Sequence, residues 1–266
     1  MSFAARRPIL TFLLLMYPLA WALVAAAFVL HLPVEPAVAL STVVGILGPA
    51  VLVTYWTGGR AAVLQLLGGV RRWRVGVGWY VFALVAMPAL TIPVSMVTGT
   101  LPHAPGGWAR MALTYLLALV VGAVFTNTWE EVAWAGFVQS RLTARHGLLT
   151  GAVLTGPLFA LQHLPIIVAN GGGLLAMLVL GAFLVVTAIF FRYVLGATLI
   201  DTGGSLLIVG ILHASSDAAG AAFGNGWQQL VATVPIALGL LVYRAVRHRS
   251  ANTRTAAVDA AAPVSA

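Results

Sequence analysis

Long apolar stretches broken by short polar or glycine- and proline-rich breaks run through nearly the whole chain. A helix needs roughly 20 residues to cross about 30 Å of hydrocarbon. Runs long enough are found at 9–30, 37–56, 76–98, 112–144, 148–169, 174–191, 204–222 and 226–243. The pattern predicts an all-α fold, a polytopic membrane helical bundle of about eight transmembrane helices. The first run follows Arg6 and Arg7, but its 22 residues exceed the apolar core of a signal peptide, so it reads as an uncleaved span. Residues 1–246 form one bundle in this reading, and 247–266 a disordered cytosolic tail rich in alanine and polar residues.

Composition agrees. Of 266 residues, 61% are hydrophobic and 8% charged, against about 25% charged in soluble domains. All 14 basic residues are arginine. With eight spans, thirteen of them fall on one side, at the N-terminus, 57–75, 141–145, the turn at 192–203 and the tail, and only Arg110 on the other. The positive-inside rule then puts both termini in the cytosol. The net charge of +8 therefore sets orientation and contacts lipid head groups, and no nucleic-acid partner is expected. The chain has no cysteine, which excludes disulfides, thiolate metal sites and a cysteine nucleophile.

Against this background a few polar residues stand out. The stretch FTNTWEEVAWAGFV places Glu130 and Glu131 side by side in a chain with six acidic residues. Glu130 lies 17 residues before the turn at Gly147, and His163, in FALQHLP, 16 residues after it. In an antiparallel hairpin the two are level, inside the membrane but nearer the cytosolic face. In GILHASSDA, His213 and Asp217 share a helix face at i,i+4. Phe159, at i−4 to His163, walls the same space, and Pro165 is placed to kink the helix. Taken singly each has a bland reading: a satisfied core histidine, a solvated glutamate cap, an aromatic belt of Trp129 and Trp134. Jointly they place Glu130, Glu131, His163, His213 and Asp217 on three apolar helices at one depth, and buried ionisable groups are costly unless functional. Two imidazoles with carboxylates suit a hydrolase. They either bind a divalent metal that acidifies water, or activate water with a carboxylate base.

In order and spacing these residues resemble three motifs of the CPBP intramembrane proteases: E-E-x-x-x-R, F-x-x-x-H and H-x-x-x-N/D. That family includes the type II CAAX prenyl endopeptidases, or Ras-converting enzymes, and the bacterial Abi proteins linked to bacteriocin processing or self-immunity. The resemblance covers a protease-like core at about 112–222 and extends weakly to 74–88. It implies an intramembrane metalloendopeptidase of the bacterial plasma membrane, acting on a membrane-proximal peptide or membrane-anchored protein among membrane lipids. Glu130 and His163 would activate the water, Glu131 would support them, and His213 and Asp217 would line the opposite wall. Glu130, His163, His213 and Asp217 are the candidate ligands of a divalent metal, zinc first. One departure bears on activity. Ala135 stands at the motif arginine, so Glu131 lacks its i+4 partner. A pseudoenzyme, a non-catalytic scaffold for bacteriocin self-immunity, and an ion-coupled transporter remain as alternatives.

Overall fold

A computed structural model describes residues 3–169, 173–224 and 226–261. Among these, seven helices are long and apolar enough to cross a membrane. After a short turn at Phe3–Arg6, α1 spans Pro8–Val29, α2 Val34–Arg71, α3 Val77–Val97 and α4 Gly107–Phe125. The helix at 127–146, α5, is followed by α6 at Leu148–Gln162 and α7 at Leu164–Ala169. Then come α8 at Gly173–Asp201, α9 at Leu206–Phe223 and α10 at Gln228–Ala261. The described residues contain no strand, and the chain is an all-α bundle of membrane-crossing helices.

Five boundaries differ from the expected ones, the first being the run at 148–169, which breaks at His163 into α6 and α7. The run at 112–144 is not one helix, because Thr126 (φ −130°, ψ −73°) separates α4 from α5. Thr126 and Asn127 carry short side chains that compete for backbone and neighbouring polar groups, and the Thr126 hydroxyl bonds to Gly122 O. The segment taken as a loop at 57–75 is largely helical as far as Arg71, through a kink at Gly59 (φ 66°). The span expected to stop at 191 continues to Asp201, and Arg192 is inside it rather than in a turn. The tail expected as disordered from 247 continues as helix to Ala261. It is alanine-rich, and no Gly or Pro interrupts it before Pro263.

At the core, α9 is the most enclosed span. Gly203 (φ 64°) and Gly204 (φ 89°) turn the chain into it. Ser205 caps it, its hydroxyl accepting from Ile208 N at 3.3 Å and donating to Arg72 O at 2.6 Å. The run of α4 and α5 lies antiparallel along α9: Tyr115 bonds Ser215 at 2.9 Å, Gly122 abuts Ala214, Thr128 abuts Gly210 and Gly136 abuts Leu206. The break at Thr126 thus falls beside the middle of α9.

Close helix approach sets the second wall. A Cβ on Gly156 of α6 would sit 2.8 Å from the backbone of Ile189 in α8, the small-residue packing typical of membrane helices. Gly156→Ala is expected to cost about 1–3 kcal/mol through overpacking. A lower unfolding temperature in detergent, followed by tryptophan fluorescence, checks this; an unchanged one contradicts it.

Candidate active site

Glu130 and Glu131 lie one turn after the break, where α5 passes into π-helical winding over Val132–Gln139. Such single-turn widenings recur at functional sites. Adjacent helical residues point about 100° apart, and the two glutamates diverge. Glu130 Oε1 accepts a hydrogen bond from Gln162 Nε2 at 2.5 Å. Gln162 Oε1 in turn accepts from the Trp134 indole. Gln162 precedes His163, so the expected level pairing across the hairpin is present in the structure. Trp21, fourteenth of 22 residues in α1, donates to Gln162 O. His213 is eighth of 18 in α9. The level is therefore mid-bundle rather than nearer the arginine-rich end.

Glu131 is fully buried. Arg192 NH1 donates to both its oxygens, at 2.8 and 3.0 Å. The rest of the guanidinium is held by Gln139 Oε1, which accepts from Nε at 3.0 Å and NH2 at 2.7 Å. Gln139 Nε2 donates back to Arg192 O at 2.6 Å. Ala135 is itself fully buried, and the cation expected beside Glu131 comes from α8 instead. Glu131 Oε1 also accepts from His213 Nδ1 at 2.8 Å. That bond fixes the proton on Nδ1 and leaves Nε2 on the side of Asp217, whose Oδ2 is 3.7 Å away. Asn127 Nδ2 donates to the same Asp217 oxygen at 2.8 Å.

Glu130, His163, His213 and Asp217 line one cavity of about 310 Å³, together with Asn127, Phe159, Gln162 and Ser216. Phe159 stands between the histidines, 5.1 Å from the ring of His163 and 5.8 Å from that of His213. Phe191 packs on His213 at 5.0 Å. His163 ends α6, where its Nδ1 lies 3.2 Å from Phe159 O, and α7 begins directly after it. A larger groove of about 1020 Å³ runs between α1 and α2, but its lining has no His, Asp or Glu.

Residues 112–219 match the family described as Type II CAAX prenyl endopeptidase Rce1-like. The match spans less than half of the chain, and within it the chain is similar to that family. The match covers every motif residue above, and the family is one of proteases. No curated protein matches the chain.

The matched region does not arrange its donors as a metal cage. Among the described residues no three His, Asp or Glu side chains are placed to share an ion. The expected ligand set Glu130, His163, His213 and Asp217 is spread around the cavity, with Glu130 and Asp217 each tied to a side-chain amide. These residues as they stand do not fit a resident zinc ion.

Sequence reasoning missed Arg192, Gln139, Gln162 and Asn127. Each is a polar residue within an apolar run, which was the signal available. Gln162 and Asn127 directly adjoin His163 and Thr128 in the stretches already singled out.

Proposed function

We propose that this protein is an intramembrane endopeptidase that hydrolyses membrane-proximal peptide bonds with water activated by Glu130 and His163. The observation that carries it is one cavity at mid-bundle lined by a carboxylate and two imidazoles, each held by a separate partner. One oxygen of Glu130 is occupied by Gln162, leaving the second for the cavity. There it takes a proton as water attacks the peptide carbonyl, and returns it to the leaving amine. His213, fixed by Glu131, faces the opposite wall; protonated at Nε2, it donates to the developing oxyanion. Glu131 and Arg192 act through His213 and are positioning residues. Ser215 is committed to Tyr115 at 2.9 Å, which leaves it no part in nucleophilic attack.

The scaffold reading rested on the missing arginine at position 135. A guanidinium on Glu131 removes that ground, and hydrolysis is the better reading. The cavity lining includes Glu130 and Asp217 and neither lysine nor arginine. A free C-terminal carboxylate finds no lysine or arginine there, and an internal bond suits the site better.

The test is cleavage of membrane-anchored peptides by the purified protein in proteoliposomes, read by mass spectrometry. His163→Ala should lower the rate at least 100-fold, a magnitude typical of a lost acid–base partner. A chelator should leave the wild-type rate unchanged if Glu130 and His163 suffice; loss restored by zinc would favour the metal arrangement. Equal cleavage by wild type and His163→Ala would refute the proposal.

A further inference from the structure

The cavity runs in one direction from the glutamate level. Towards the arginine-rich end it is closed. Phe12, Met16, Trp134 and Phe137 are all 0% exposed there, with Phe12 edge-on to Trp134 at 5.8 Å and 5.4 Å from Phe137. That end is marked by Arg72 on Gly203 O and by Arg244 paired with Asp201 at 2.5 Å. In the other direction the lining continues through Val24 on α1, Val38 near the start of α2, Pro165 and Ile166 on α7, Leu184 on α8 and Leu230 near the start of α10. Val24 lies beyond Trp21 on α1, Ile166 beyond His163, and Leu184 beyond Phe191 on α8, each on the way to the opposite end, where Gln228 bonds Thr100 at 2.6 Å. The side chain of Asp217 is 60% exposed on that route.

We propose that the cavity is entered from the face opposite the arginine-rich one. Exposed arginines Arg6, Arg7, Arg60, Arg71, Arg72, Arg74 and Arg145 all lie at the closed end or on the segments leading to it, and Arg110 lies at the other. By the positive-inside rule the entrance is then extracytoplasmic. This rests on the peptidase reading and narrows its substrates. They are membrane-proximal segments of exported or membrane-anchored proteins displayed on the outer side, not cytosolic C-termini. The aromatic and methionine plug separates the hydrolytic water from the cytosol.

The chain has no cysteine, so single-cysteine variants report access without background. Ile166→Cys and Leu230→Cys sample the entrance, His103→Cys the outer end and Arg74→Cys the arginine-rich end. Intact and permeabilised spheroplasts are treated with a charged, membrane-impermeant methanethiosulfonate. The first three variants should label in intact spheroplasts, and Arg74→Cys only after permeabilisation. Labelling of Ile166→Cys and Leu230→Cys only together with Arg74→Cys overturns the proposal. This readout needs no activity. Outer-side labelling in a protein that cleaves nothing would sink the peptidase reading alone, and cleavage of a peptide offered only at the arginine-rich face would sink the entrance alone.

Discussion

Glu130→Gln should abolish hydrolysis while leaving the fold intact, with a fall in kcat of at least 10³-fold. The amide has nearly the volume of the carboxyl, and its carbonyl oxygen can still accept from Gln162 Nε2. The change therefore removes the proton acceptor and little else. Glu130 is 7% exposed and borders the cavity, so no buried charge is orphaned, and the unfolding temperature should stay within a few degrees of wild type. A general base contributes about 10²–10⁴-fold in rate, and losing it outright places the effect at the upper end. KM should change far less than kcat, since the carboxylate acts on water rather than on the peptide. Steady-state kinetics on a membrane-anchored peptide, paired with thermal unfolding, separates these outcomes.

Arg192→Ala should have the largest effect on the protein itself. It strips the Arg192 guanidinium from a fully buried Glu131 and leaves Gln139 Oε1 without these donors. Breaking one side of a buried ion pair costs about 3–5 kcal/mol, much of the stability of an ordinary domain. Poor yield and a strongly lowered unfolding temperature are expected. Replacing both partners with apolar residues of similar volume is often neutral. The pair Arg192→Met with Glu131→Leu should therefore recover much of the lost stability, with Gln139 Oε1 still lacking its donors. It should not recover activity, because His213 loses the carboxylate that orients its ring and favours its protonated form. A double variant that folds and cleaves at the wild-type rate would show that Glu131 and Arg192 are structural only. A folded, inactive one assigns them to positioning His213. Arg192→Lys tests geometry: a single ammonium cannot reproduce the fork to Glu131 and Gln139, and partial activity with an altered pH profile is expected.

The parts of the fold that were legible are those set by local pattern. Apolar run length gave the spans, and distance from Gly147 gave the level of Glu130 with residues 162–163. The i,i+4 spacing put His213 and Asp217 on one face. What could not be read depended on partners remote in sequence. The apolar pattern places Arg192 in a turn after the span at 174–191, and an arginine in hydrocarbon is costly. That cost is offset by Glu131, 61 residues away, and no periodicity reports such a pairing. For the same reason Ala135 looked like a loss of function, when the cation had moved to another helix. The break at Thr126 was hidden because both sides of it are apolar helix, and the bond Asn127 makes there to Asp217 on α9 leaves no local mark. Breaks at glycines and prolines are visible in the sequence, but π-winding over Val132–Gln139 has no such mark.

The most direct test is hydrolysis of a membrane-anchored peptide in H₂¹⁸O by wild-type protein and by Glu130→Gln under single-turnover conditions. One ¹⁸O in each new carboxylate from the wild type, and no product from the variant over the same interval, is the outcome expected of water activated at Glu130. Labelled product from Glu130→Gln at the wild-type rate would place the chemistry somewhere other than this cavity.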